Sequence, residues 1–432
     1  MQSFLFGLFL AGLLAQSVVA APTPAARIQK RSFKVERVKN AYFKGHDGPK
    51  QLFKAYSKFS MPVPQGLLDS LRSGAGATGN IAVESVESGG AGSTLGNSTT
   101  VASNTTGVGL VTTTPEQGDI EYLSPVTIGG QTLNLDFDSG SSDLWVFNTQ
   151  LSAKSTTGHQ VYDPTQSSTF KMIQGAKFSI SYGDGSGAAG NVGTDTVEIG
   201  GVVVENQAVE LATAVSASFV QDVQNNGLLG LAFSQLNTVK PQQQKTFFDN
   251  VLPSLAEPVF TADLRKDAAG AYEFGRIDTT KFTGDMAWIP VNTTNGFWQF
   301  ATSGFAVDGG AVAATATAQA IADTGTTLML VSQEVADGYY SQVEGAVNNE
   351  QVGGFIFPCD AVLPDLQVDV GGIYTATIKG DDINFAPVQD NTCFGGVQPT
   401  TSELQIWGDI FFKSQFVAFN AGNNTLGMAQ HI

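Results

Sequence analysis

Beyond about residue 119, short runs of β-branched, aromatic and other apolar residues alternate with clusters of Gly, Asn, Asp and Ser. Ile120-Glu121-Tyr122-Leu123 and Val126-Thr127-Ile128 run into Gly129-Gly130, and Leu133-Asn134-Leu135-Asp136-Phe137 follows. Lys177 to Tyr182, Thr196 to Ile199 and Val202-Val203-Val204 continue the rhythm. Runs of this length, punctuated by turn residues, predict an all-β body. Helical spacing is confined to short pieces, such as Thr246–Leu252 and Ser332–Val347. Upstream, residues 21–72 interleave basic residues with Phe33, Val35, Val38, Tyr42, Phe43, Leu52, Phe53 and Tyr56, a texture open to helix or extended chain. Residues 73–118 have the Gly, Ser, Thr and Ala content of a flexible, proteolysable linker.

A weak internal repeat organises the body. Residues 135–146 read LDFDSGSSDLWV and residues 320–331 read AIADTGTTLMLV. In both, an apolar strand delivers Asp-(Ser/Thr)-Gly-(Ser/Thr)-(Ser/Thr) into a turn. Each turn has a downstream partner of two hydrophobic residues and a glycine, Leu228-Leu229-Gly230 and Ile406-Trp407-Gly408. Two copies of one plan predict two similar β lobes, over about 111–285 and 286–432, each contributing one aspartate.

Composition refines this picture. A length of 432 residues exceeds one ordinary domain, and 49 glycines favour a turn-rich chain. Residues Phe4 to Leu14 form an apolar run followed by small residues at Val18-Val19-Ala20, which reads as a signal peptide over 1–20. That run is too short to span a bilayer, and no other stretch looks transmembrane. Residues 1–110 carry 11 Lys and Arg against 5 Asp and Glu, whereas residues 111–432 carry 11 against 34. A basic leader, taken as 21–110, is therefore expected to pair with a strongly acidic body, and the body's charge argues against nucleic acid or anionic membrane as partners. The two cysteines, Cys359 and Cys393, can form one disulfide or remain free thiols. A bridge would close a loop worth about 3–4 kcal/mol of chain entropy. Asn-x-Ser/Thr sites at Asn97, Asn104, Asn292 and Asn423 agree with export.

The paired aspartates, Asp138 and Asp323, carry the candidate chemistry. Two carboxyls held together share a proton, so one activates water as a base while the other polarises a carbonyl, with no metal or cofactor. Gly140 and Gly325 allow close approach of two turns. Ser139 and Thr324 place hydroxyls at those turns, and Ser141 and Thr326 can hydrogen-bond the carboxylates. Asp136 lies two residues before Asp138 and faces the same side of an ideal strand, where it touches the dyad or a subsite, or serves as a structural carboxylate.

These motifs make the chain from about Glu116 to its end resemble the pepsin family, with the likeness closest to secreted fungal members of the penicillopepsin and aspergillopepsin type. The resemblance implies a bilobal all-β fold with a cleft between the lobes, and a monomeric, secreted, acid-active endopeptidase made as a zymogen. It implies that Asp138 and Asp323 are the catalytic dyad. Tyr182 resembles the tyrosine of the flap hairpin, with Trp145 as its hydrogen-bond partner and Gly183 and Asp184 as contacts to a polypeptide substrate. An acidic residue at the position of Asp184 implies acceptance of Lys at P1 beside large apolar side chains. Cys359 and Cys393 match the family's C-terminal-lobe disulfide, and Gly408-Asp409-Ile410-Phe411 its C-terminal signature. Lys58-Phe59 sits where fungal prosegments carry Lys-Tyr, which implies that Lys58 lies between the two aspartates as an intramolecular block. Ser139 replaces the commoner Thr and keeps the hydroxyl.

Other chemistries fit less well. Gly185-Ser186-Gly187-Ala188-Ala189-Gly190 matches a dinucleotide-binding fingerprint in letters, but strand and turn patterns follow it where a helix is needed. The three histidines, His46, His159 and His431, belong to no G-x-S-x-G or H-E-x-x-H context. A glycosidase also uses paired carboxylates but needs no twin Asp-(Ser/Thr)-Gly turns. A catalytically dead binding module would not need both aspartates.

Overall fold

The computed structural model describes residues 30–36, 38–39, 47–74, 122–182, 186–266, 270–389 and 391–432. The body is built mainly of strands, in the manner of the bilobal pepsin-like fold. An eight-stranded sheet runs in the order Val38–Lys39, Tyr122–Ile128, Gln131–Asp138, Gly227–Gly230, Leu144–Val146, Val202–Val215, Gly187–Ile199 and Lys171–Ser181. A seven-stranded sheet after residue 299 has the order Tyr374–Ile378, Leu366–Val370, Gln299–Val307, Ala313–Ala322, Leu404–Trp407, Met329–Val331 and Val397–Pro399. The Gly-Gly pairs 129–130, 200–201 and 371–372 all have both residues at positive φ, the conformation that two-residue hairpin turns demand.

The internal repeat has a structural meaning. Gln131–Asp138 runs parallel to Gly227–Gly230, with Asp138 opposite Gly230. Ala313–Ala322 runs parallel to Leu404–Trp407, with Ala322 opposite Trp407. In each case the strand after the Asp turn returns antiparallel to that same partner. Each aspartate therefore leaves its strand at the centre of a sheet. Along Gln131–Asp138, Leu133, Leu135 and Phe137 fill the core while Asn134, Asp136 and Asp138 lie on the opposite face.

A third sheet of six strands joins Phe33–Glu36, Ala271–Phe274, Val259–Asp263, Gln415–Asn420, Thr425–Gln430 and Ala287–Pro290, drawing on both sides of residue 285. Its edge strand, Phe33–Glu36, comes from the stretch expected to form the leader. Phe33 stacks on Phe274 at 4.7 Å and meets Phe247 edge-on at 6.4 Å, and burying such a ring stabilises the docked leader by roughly 2–3 kcal/mol.

Two leader helices follow. Asp47 caps Gly48–Lys58 by accepting from the Lys50 N–H, and Pro49 supplies a preset φ in the first turn. Leu52, Ala55 and Tyr56 form the buried stripe. Ser60, at φ 54°, turns the chain out, and Pro62 and Pro64 keep it extended until Gln65–Gly74 begins. Residues 75–121, which hold most of the expected linker, and residues 1–29, which hold the expected signal peptide, lie outside the described residues, as do Asn97 and Asn104.

The short helices of the body differ in extent from the sequence expectation. Thr246 caps Phe247–Val251. Ser332 caps Gln333–Tyr340, which stops well short of Val347. Gly345 there adopts φ 76°, and Val347 instead opens a strand paired with Ile356. Gly187–Gly190, the end of the literal dinucleotide fingerprint, is strand rather than loop-to-helix. A disulfide joins Cys359 to Cys393, next to the antiparallel pair Gly354–Pro358 and Thr392–Gly395. No helix among the described residues is long and apolar enough to cross a membrane.

Candidate active site

The two Asp turns meet through reciprocal hydrogen bonds. Ser139 Oγ donates to the Ala322 carbonyl at 2.9 Å and accepts from the Thr324 N–H at 2.9 Å. Thr324 Oγ1 donates to the Phe137 carbonyl at 2.7 Å and accepts from the Ser139 N–H at 3.1 Å. Each hydroxyl thus reaches the carbonyl just before the opposite aspartate, so one half of the site positions the other. Serine makes both bonds at position 139, and the methyl that threonine would add takes part in neither. A Cβ on Gly140 would overlap the Asp323 carboxylate, and one on Gly325 would overlap that of Asp138. Glycine at both positions is what lets the carboxyls approach.

The carboxyls are fully buried. Asp138 accepts from the Gly140 N–H at 2.8 Å and from Ser141 Oγ at 2.6 Å. Asp323 accepts from the Gly325 N–H at 3.1 Å and from Thr326 Oγ1. Between them sits Lys58, the last residue of the first leader helix. Its Nζ lies 2.8 Å from Asp138 Oδ1 and 3.0 Å from both Asp323 oxygens, with its side chain only 6% exposed. Burial alone would push the Lys58 ammonium down, but the two carboxylates outweigh it and hold it above its ordinary value. Burial resists ionisation of Asp138, yet the Lys58 charge and the bonds from Lys58 and Ser141 draw it down to about 2. Asp323 goes the other way, up to about 6, because burial and the neighbouring Asp138 charge exceed the help of Lys58. The two carboxyls and the ammonium between them thus behave as one electrostatic cluster.

Asp136 lies half-buried on the same strand face. Burial, then the Asp138 charge, raise it to about 7, while Lys54 and Lys58 oppose the shift. Lys54 is one helical turn before Lys58, so the leader presents two cations to this acidic floor.

The hairpin formed by Lys171–Ser181 and Gly187–Ile199 is closed by the bond from the Tyr182 N–H to the Ser186 carbonyl at 2.8 Å. Gly183 and Asp184 lie outside the described residues. Trp145 Nε1 donates to the Tyr182 hydroxyl at 3.2 Å. Phe219, which sequence reasoning missed, packs against Trp145 at 4.9 Å and Tyr182 at 5.8 Å. Its short helix, Ala217–Gln221, has too few residues to show a period.

The leader also lies on the second lobe. Tyr56 Oη donates to the Pro399 carbonyl at 2.6 Å, Thr327 Oγ1 to Gln51 Oε1 at 3.1 Å, and Thr401 Oγ1 to the Pro62 carbonyl at 2.6 Å. Phe59 sits edge-on to Phe297 at 5.9 Å, and its ring centroid is 5.5 Å from the Lys58 Nζ. The phenyl ring therefore contributes packing and a cation–π contact without a hydroxyl. Of the two sequons in the described residues, Asn292 and Asn423 are exposed, and neighbouring strands bring them to one end of the six-stranded sheet.

A family model described as eukaryotic aspartyl protease matches residues 121–431. The chain is 46% identical to the aspartic protease PEP3 of Coccidioides posadasii over 430 residues, covering 97% of this chain and 94% of that protein. It is 51% identical to aspergillopepsin-1 of Aspergillus flavus over 326 residues, covering 75% and 80%. It is 51% identical to penicillopepsin-1 of Penicillium rubens over 324 residues, covering 74% and 81%.

Proposed function

The chain belongs to the eukaryotic aspartyl protease family and is an aspartic endopeptidase of the aspergillopepsin and penicillopepsin type, and on that premise we propose that it is a secreted, acid-active protease held latent by its own leader. The observation that carries this reading is the position of Lys58, within 3.0 Å of Asp138 and Asp323 together and sealed from water. Residues 1–20 act as the signal peptide and residues 21–110 as leader and linker. The lobes of about 111–285 and 286–432 enclose the cleft.

Once Lys58 withdraws, two buried like charges remain, and they hold one proton between them, as aspartic protease dyads do in general. The ionised carboxyl takes a proton from water as it attacks the scissile carbonyl. The protonated one donates to the carbonyl oxygen, giving a tetrahedral intermediate with no acyl-enzyme. Ser141, Thr326 and the N–H groups of Gly140 and Gly325 fix both carboxyls during this exchange. An extended polypeptide lies across the cleft with main-chain bonds to the hairpin tip beside Tyr182. The enzyme works as a monomer on polypeptides without a cofactor.

The direct test is cleavage of a denatured protein at acid and neutral pH, after acid treatment of the precursor, with and without pepstatin. Acid-selective, pepstatin-sensitive cleavage is expected. Pepstatin-insensitive cleavage, or none, would reject the reading.

The P1 preference is separately testable. Asp184, two residues after Tyr182 in the sequence, supplies a carboxylate for a P1 ammonium, and charge-assisted bonds of this kind are among the stronger polar contacts. Asp184→Ala is expected to lower kcat/KM for a peptide with Lys at P1 by about 10- to 100-fold while leaving one with Phe or Leu within about threefold. Equal effects on both peptides would remove the role assigned to Asp184.

A further inference from the structure

A second pair of buried carboxyls lies beneath the catalytic turn. Asp143 continues the turn that carries Asp138, and Glu210 projects from Val202–Val215 in register with Trp145. Each is 1% exposed. Asp143 Oδ1 accepts from the Thr238 N–H at 3.0 Å, Thr238 Oγ1 at 2.8 Å and Asn237 Nδ2 at 3.3 Å. Glu210 Oε1 accepts from the same Asn237 Nδ2 at 3.0 Å. One amide thus anchors both carboxyls, which interact with each other. The remaining oxygens, Asp143 Oδ2 and Glu210 Oε2, receive no hydrogen bond from any N–H or O–H of the described residues.

The charges around the pair make ionisation of both members costly. From the catalytic turn Asp138 adds a third carboxylate, and from the hairpin Tyr182 faces Asp143 with a neutral phenol. From the segment after Ser234, Asn237 and Thr238 bring only neutral donors. Among the described residues no Lys, Arg or His forms an ion pair with either acid. Two desolvated carboxylates without a cation are strongly unfavourable, whereas one proton held by the pair removes one of the two charges.

We propose that Asp143 and Glu210 share one buried proton, and that its loss as pH rises unlatches the catalytic turn, giving the protein a built-in upper pH limit. The pair sits where such a loss would be felt. The Asp143 carbonyl accepts from the Gly230 N–H at 2.9 Å, and the next residue, Leu231, donates to the Asp138 carbonyl at 2.8 Å. Repulsion at Asp143 therefore acts on the crossing that holds Asp138. Burial, then the Asp143 charge, raises Glu210 well above its ordinary value of 4.5, and burial raises Asp143 against the opposing bonds of Glu210 and Thr238. The sign follows from linkage. A group that binds its proton more tightly when folded contributes fully below its ordinary value, and the contribution fades as pH climbs through the folded value.

The test is urea unfolding of the full-length precursor, followed by tryptophan fluorescence from about pH 5 to about pH 9, for wild type, Glu210→Gln and Asp143→Asn. The Gln amide supplies permanently the hydrogen that the shared proton provides, and Asn at 143 does so from the other side. Wild type is expected to lose stability as pH rises. The Glu210→Gln curve is expected to be flatter by up to about one proton, with its half-loss point higher by about one pH unit. Asp143→Asn, which keeps an acceptor for Thr238, gives an independent reading if the first variant does not fold. A flatter curve in either variant supports the shared proton. Curves parallel to wild type in every variant that folds would overturn it. The readout is unfolding, so it stands apart from any result on proteolysis.

Discussion

Replacing Asp138 or Asp323 by Asn is expected to lower kcat/KM of the activated enzyme by at least about 10³-fold, because general acid–base steps of this kind contribute about 10²–10⁴ and the two carboxyls act as one unit. The substitutions are well placed to leave the fold intact. Asp138 Oδ1 must accept from the rigid Gly140 N–H, so the new amide nitrogen would face Ser141, whose hydroxyl can turn to accept. The same holds at Asp323, with Gly325 fixed and Thr326 adaptable. Thermal unfolding of the variants should therefore stay close to wild type while turnover collapses. Non-additivity is the sharper diagnostic. The double variant should be scarcely worse than either single one, because removing one carboxyl already leaves the other without a partner to share a proton. Activity retained in either single variant would sink the dyad mechanism.

Legibility of the site in the sequence depended on how local each signal was. Asp138 and Asp323 could be read because strand, turn and hydroxyls lie within a few consecutive residues, and because Leu228-Leu229-Gly230 and Ile406-Trp407-Gly408 echo each other. Those echoes correspond to parallel pairing with the strand that delivers each aspartate. The strand Phe33–Glu36 was different. Its partner, Ala271–Phe274, is more than 230 residues away, and neither segment alone states that it completes a shared sheet. Asp143 and Glu210 are 67 residues apart and meet only because Leu144–Val146 and Val202–Val215 pair in parallel. Phe219 carries no periodic signal at all. What escaped sequence reasoning is the set of contacts made by pairing between distant strands, for which composition and period hold no register.

Lys58→Met is expected to speed conversion of the precursor at mildly acid pH by about 10- to 100-fold, and to allow conversion at a higher pH than wild type. In wild type the Lys58 ammonium is buried against two carboxylates that are themselves 0% exposed. Removing one partner of such a cluster costs about 3–5 kcal/mol when the charge left behind has no escape. Here the escape is a proton. Asp138 and Asp323 can share one, so the loss of leader docking falls toward the lower end of that range. The pH dependence follows from the same geometry. Docking through Lys58 needs ionised carboxylates, so its contribution is present at neutral pH and is lost as pH falls. Protonating either carboxyl removes one of the two charges that hold Lys58. Wild type should thus remain latent near neutrality and release its leader as acid protonates the pair. The Met variant lacks that attraction, and its leader keeps contacts such as those of the Phe33 strand, Tyr56, Gln51 and Pro62. Conversion followed by gel and by a quenched fluorescent peptide across this range separates the two. Identical rates would show that Lys58 does not control latency, even though it lies within 3.0 Å of both aspartates.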